Sequence, residues 1–99
     1  MYKVKMVVEM PEQFEQEMFY VVTKREAAEG MREINAPWLC GYLCPCGCGN
    51  KVQLPITLGA GVGWNLTIRD LMPTLSPSVS HTDGCKTHYF IKNGKVEMV

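Results

Sequence analysis

Three cysteines alternate with proline and glycine in the run Cys44-Pro45-Cys46-Gly47-Cys48-Gly49. Cysteines so close in sequence do not readily bridge one another in relaxed disulfide geometry. Glycine permits the positive backbone angles that turn thiolates inward, and proline stiffens the turn. A second group, Asp83-Gly84-Cys85-Lys86-Thr87-His88, offers a thiol and an imidazole at C-x-x-H spacing. Zinc takes thiolate and imidazole ligands in tetrahedral geometry, and two tight turns are the usual way to deliver them. Cys44, Cys46, Cys48, Cys85 and His88 therefore compete for four positions around one Zn2+ ion, and the residues alone do not say which stands outside. Cys40 lies on an apolar stretch and reads as a core residue. His81 could reach the same site, although a solvated loop histidine is its simpler reading.

A metal suits the size of the chain. Ninety-nine residues make a single zinc-binding domain, 1–99, with 46% hydrophobic and 20% charged residues. Domains this small bury a modest core, and a metal or disulfide often supplements it. Ten basic and ten acidic residues cancel. No global field then draws the chain to nucleic acid or to an anionic membrane, and neither is expected as a partner. No stretch reaches the ~18 apolar residues of a membrane span, and the first residues lack a signal-peptide core. The expected location is the cytoplasm, where thiols stay reduced.

Periodicity supplies the frame. Tyr2, Val4, Met6, Val8 and Met10 alternate with polar residues, the pattern of a half-buried strand ended by Pro11. Met18 to Val22 is rich in strand formers. Thr23 and Glu26 stand at capping-box spacing, so a short helix is expected from Thr23, burying Ala27, Met31 and Ile34 and closed by Pro37. Trp38 to Leu43 reads as a strand leading into the cysteine turn, and Lys51 to Leu58 as the strand leaving it. Gly59 to Gly63 lacks dinucleotide-binding spacing, so a phosphate role is set aside. Trp64 to Ile68 is a further short strand, and Thr74 to Ser80 an irregular serine-rich segment interrupted by Pro77. Asn93-Gly94 is the signature of a two-residue hairpin turn. Pairing Ile91 with Val96 and Tyr89 with Met98 puts both apolar pairs on one face.

A thiolate-rich shell lowers the Lewis acidity of zinc, and no His-Glu-x-x-His run supplies a base beside the metal. Those features favour a structural ion. Ser76, Ser78, Ser80, Thr82, Asp83 and Thr87 crowd the approach to Cys85 and His88. Such hydroxyls can stabilise a developing oxyanion, or simply build turns. Trp38, Trp64 and Tyr89 are candidates for a pocket wall, with core packing as the default.

The run Cys44 to Val52 resembles the hallmark of a small prokaryotic and phage zinc-binding domain family. So do Trp64-Asn65-Leu66-Thr67, Leu75-Ser76-Pro77-Ser78-Val79, Cys85 to Ile91 and Gly94-Lys95-Val96. Some members are encoded beside bacterial ubiquitin-like conjugation genes. The resemblance covers 40–98 and implies a zinc-dependent, deubiquitinase-like peptidase acting on ubiquitin or ubiquitin-like proteins. It departs from the family at Tyr42, where a histidine is frequent, and at Thr87, where serine is usual. Residues from about Thr23 to Ala36 resemble an insertion.

The expected fold is a small β-rich α+β domain, mainly an antiparallel sheet with a C-terminal hairpin and one short helix, stapled by zinc. The expected activity is a zinc metallopeptidase cleaving after the tail of a ubiquitin-like protein, with Ser76 or Ser78 stabilising the oxyanion or positioning the tail. The alternative is a non-catalytic, zinc-stabilised interaction module or phage accessory protein.

Overall fold

Among the described residues, eight strands form two four-stranded sheets that share one apolar core. The computed structural model describes the backbone of residues 1–27, 33–57, 63–81 and 86–99, and the side chains of those outside 24–37. The strands are β1 (Lys3–Val7), β2 (Met18–Ala27), β3 (Glu33–Leu43), β4 (Lys51–Pro55), β5 (Asn65–Arg69), β6 (Met72–Ser80), β7 (His88–Lys92) and β8 (Lys95–Met98). The first sheet runs β1-β2-β3-β4 and the second β5-β6-β7-β8. Every strand pair is antiparallel except β1 with β2.

Alternation explains the core. Tyr2, just before β1, and Val4 within it point inward, as do Phe19 and Val21 from β2, Cys40 and Tyr42 from β3, and Val52 and Leu54 from β4. Leu75, Val79, Tyr89 and Ile91 answer from the second sheet. Each large apolar side chain removed from water contributes ~1.5–3 kcal/mol. Aromatic rings occupy the centre: Phe19 stacks on Tyr42 at 5.3 Å between ring centroids, and Tyr2 meets Tyr42 edge-on at 5.4 Å.

The C-terminal hairpin forms in the expected register, Ile91 opposite Val96 and Tyr89 opposite Met98. Asn93 and Gly94 both take positive φ, 48° and 77°, as a two-residue turn of this hand demands. The hairpin is also tied to the N-terminal segment, since the Tyr2 amide donates to the Gly94 carbonyl at 2.7 Å, and the β5–β6 turn is tied to it by the Val4 amide, which donates to the Leu71 carbonyl at 2.7 Å.

Three expectations are corrected. No helix occurs among the described residues: Thr23 to Ala27 continues β2, paired with Glu33 to Pro37 of β3. Cross-strand pairing overrides the local capping signal, and the sparse apolar spacing of Ala27 and Ile34 gave a helix little to bury. Met31 lies outside the described residues. Pro37 is tolerated because this outer half of β3 pairs on one side only. β1 ends at Val7, and Met6 near its end and Val8 beyond it are both exposed. Thr74 to Ser80 belongs to β6, because Pro73, Leu75 and Val79 keep an inward-facing row and Pro77 falls at an irregularity where no ladder N–H is required. Of the glycine-rich loop, 58–62 lies outside the described residues.

Candidate active site

The cysteine turn is the hairpin loop joining β3 to β4. Leu43 pairs with Lys51, and the Cys44 amide donates to the Asn50 carbonyl at 2.9 Å, so the strands hold both ends of the loop. Gly47 and Gly49 take positive φ, 88° and 80°, a region that side chains other than glycine disfavour. These two reversals gather the thiols: the sulfurs of Cys44, Cys46 and Cys48 all lie within 4.8 Å of one another, with Cys44 and Cys46 at 3.4 Å. Thiolates bound at ~2.3 Å to a tetrahedral zinc stand about 3.8 Å apart, so the donor set fits such an ion with small adjustments. Cys44 is buried, while Cys46 and Cys48 are exposed. Cys85 falls outside the described residues. Cys40 is fully buried on β3, and desolvation pushes its thiol up to about 12.

The second constellation lies on the outer face of the second sheet. Four steps along β6, from Leu75 to Val79, are matched by only two along β7, from Ile91 to Tyr89. β6 therefore carries a bulge at Ser76-Pro77-Ser78, the kind of irregularity that re-aims side chains beside active sites. Past the bulge Val79 pairs with Tyr89 and Ser80 with His88. Val79 and Tyr89 turn into the core, so Ser78 and His88 share the opposite face. Ser78 Oγ sits 2.8 Å from His88 Nε2, within hydrogen-bond reach. With the proton on Nδ1, Nε2 accepts from the hydroxyl, the arrangement a serine needs to become a nucleophile. The His88 ring lies over Phe90 at 6.5 Å between centroids, and Lys92 caps the same phenylalanine at 5.0 Å. Ser76 is exposed on the same bulge and pairs with Asn65 of β5.

The two constellations meet through β7. Cys44 Sγ lies 3.7 Å from the hydroxyl of Thr87, the residue before His88. Inside the core, Tyr42 and Tyr89 share a hydrogen bond of 2.7 Å between hydroxyls, and the Tyr89 hydroxyl lies 3.0 Å from His81 Nε2. His81 is thus half-buried and engaged, rather than a solvated loop histidine. It shares with Cys44 and residues of β4 a cleft of about 380 Å³. Burial pushes the Tyr42 hydroxyl far above its ordinary value, with the neighbouring Tyr89 adding to the effect. Trp38 is largely exposed, and Trp64 is half-buried against the core.

The sequence marked both Ser78 and His88 but placed them in different roles. Their meeting depends on the bulge, which shifts the register of β6 against β7 and has no signal in periodicity alone. Pro77 between two serines, inside a row of alternating apolar residues, is the one hint.

A β-domain with a serine hydroxyl set against an imidazole on an open sheet face defines a candidate serine hydrolase. The family model described as "Bacterial ubiquitination-like system serine protease (BubE)" matches residues 6–99, and the chain belongs to that family. No curated protein and no solved structure matches it. The family is named for a serine protease, which does not support the expected zinc metallopeptidase type. Among the described residues no helix is long and apolar enough to cross a membrane.

Proposed function

We propose that the chain is a serine peptidase that cleaves after the C-terminal tail of a ubiquitin-like protein, with Ser78 as nucleophile and His88 as general base. The observation that carries this reading is the 2.8 Å contact between Ser78 Oγ and His88 Nε2 on an accessible sheet face. Membership of a family described as the serine protease of a bacterial ubiquitination-like system supports the substrate class.

In this mechanism Ser78 Oγ attacks the scissile carbonyl carbon while His88 Nε2 takes the hydroxyl proton. The tetrahedral oxyanion collapses, the C–N bond breaks, and the leaving amine takes that proton from His88. Water then attacks the ester on Ser78, giving its proton to His88. His88 returns that proton to Ser78 Oγ as the C–O bond breaks, and the tail leaves as a carboxylic acid that gives its remaining proton to solvent. Ser76, exposed on the same bulge, is the proposed hydroxyl for stabilising the oxyanion or positioning the tail.

Cys44, Cys46 and Cys48 would hold a zinc ion, with Cys85 as the proposed fourth ligand and His88 left to Ser78. When bound, the ion supplies a cross-link between the β3–β4 loop and the approach to β7, and no chemical step passes through it. Thr87 packs against Cys44, so this cross-link bears on the residue that precedes the base.

The test is a fusion of a bacterial ubiquitin-like protein to a C-terminal extension, incubated with the purified chain. Release of the extension by the native chain, and its loss in Ser78→Ala and His88→Ala variants of unchanged fold, supports the reading. An intact fusion after incubation with folded native protein overturns it and favours a non-catalytic interaction module.

A further inference from the structure

We propose that Trp64 is a positioning residue for the nucleophile, holding the β6 bulge that presents Ser78. This inference rests on the reading of Ser78 as nucleophile. Trp64 precedes β5 and is laced to the end of the first sheet: its amide donates to the Pro55 carbonyl at 3.0 Å, and its carbonyl accepts from the Thr57 amide at 2.8 Å. Gly63 allows that approach, since a Cβ there would stand 2.9 Å from Thr57 Cγ2 and 3.0 Å from the Pro55 carbonyl, and its φ is 127°. The indole then crosses to the second sheet, where Nε1–H donates to the Ser78 carbonyl in a long hydrogen bond of 3.4 Å.

That bond falls where the bulge most needs a partner. Between Leu75 and Val79 the β6–β7 ladder is interrupted, so β7 does not fix Ser78 through regular register. An indole N–H is a donor only, so it can meet a backbone carbonyl but cannot compete as an acceptor for the strand's N–H groups. Its ring packs against the core, and this anchors the donor more firmly than a flexible side chain would. Ser78 is thus met by His88 at its hydroxyl and by Trp64 at its backbone carbonyl. Small displacements of a reacting atom carry large rate penalties, so loss of the second restraint acts on the chemical step.

The probe is a fluorophosphonate, which transfers phosphorus to an activated serine Oγ with loss of fluoride, the hydroxyl proton passing to His88. Trp64→Phe removes the donor and keeps most of the packing. The expected result is a fall of about threefold to tenfold in the maximal labelling rate, as for one hydrogen bond lost at the reacting centre. The half-saturating probe concentration, the melting midpoint and the pH midpoint of labelling should stay unchanged. Equal labelling rates in folded Trp64→Phe and native chains, with the adduct on Ser78, overturn the role of Trp64 alone. An adduct absent from Ser78 in the native chain overturns the nucleophile reading instead. Should Trp64→Phe fold poorly, chemical synthesis with 3-benzothienylalanine at position 64 removes only the N–H, and the same comparison of rates decides.

Discussion

Cys44 Sγ rests 3.7 Å from the Thr87 hydroxyl, joining the β3–β4 loop to the strand that carries His88. Forty-three positions separate the two residues. Whatever fixes the cysteine loop therefore bears on the placement of His88, and the proposed metal site and the proposed base are linked through packing.

Removing the metal should consequently act twice. Native protein should carry about one zinc per chain by elemental analysis. Chelation, or Cys46→Ser with Cys48→Ser, should lower the melting midpoint by more than about 10 °C, as expected for a structural ion in a small domain. Peptidase activity should decline in parallel with occupancy. Stability that is indifferent to chelator would remove the ion from the account.

Replacing the dyad should leave the fold alone. Ser78 is half-buried and His88 exposed. Ser78→Ala and His88→Ala should each reduce cleavage by at least about 10³-fold, with melting midpoints within ~2 °C of native. Ser76→Ala should give a smaller loss, of roughly tenfold to a hundredfold, in kcat. Differential scanning fluorimetry beside the cleavage assay checks both halves.

Much of this architecture was legible in the sequence, and the failures share a cause. Asn93-Gly94 fixes the last hairpin through local backbone preference, and alternation names Tyr2 and Val4 as inward-facing, although the same pattern extended wrongly to Met6 and Val8. The cysteine turn was readable because its glycines and thiols act within seven residues. What stayed hidden depends on partners distant in the chain: the strand character of Thr23 to Ala27, imposed by pairing with β3, and the bulge that brings Ser78 to His88. The second sheet itself was concealed for the same reason, since periodicity gives the face of a strand but not its neighbour.

Alkaline pH should destabilise the native chain. Burial raises the Cys40 thiol from an ordinary 9.0 to about 12 and raises Tyr42 and Tyr2 in the same direction. In the window above pH 9 the unfolded chain loses these protons while the folded chain keeps them, so stability falls as pH rises. The urea midpoint should be level with respect to these groups below about pH 9 and decline above it, and Cys40→Ala should flatten part of that decline. Iodoacetamide at pH 8 should leave Cys40 unmodified in the folded protein.

The hydroxyl contacts of the core set the scale of its polar contribution. Tyr42→Phe removes the 2.7 Å bond to Tyr89 while leaving Tyr89 its contact with His81. A loss of about 1 kcal/mol is expected. Tyr89→Phe strips both bonds and leaves two partners to be satisfied elsewhere, so about 2 kcal/mol is expected. Gly94→Ala should cost at least about 2 kcal/mol, because its φ of 77° disfavours a side chain and a Cβ would press to 2.5 Å from the Tyr2 carbonyl. Chemical denaturation of the three variants checks the order.

Adduct mapping tests most directly whether Ser78 is an activated nucleophile. The zinc-loaded native chain is treated with a fluorophosphonate, digested and read by mass spectrometry. A single adduct on Ser78, formed far more slowly in His88→Ala, is the expected result. Folded, zinc-loaded protein that stays unmodified, or that carries its adduct on another residue, would contradict the account.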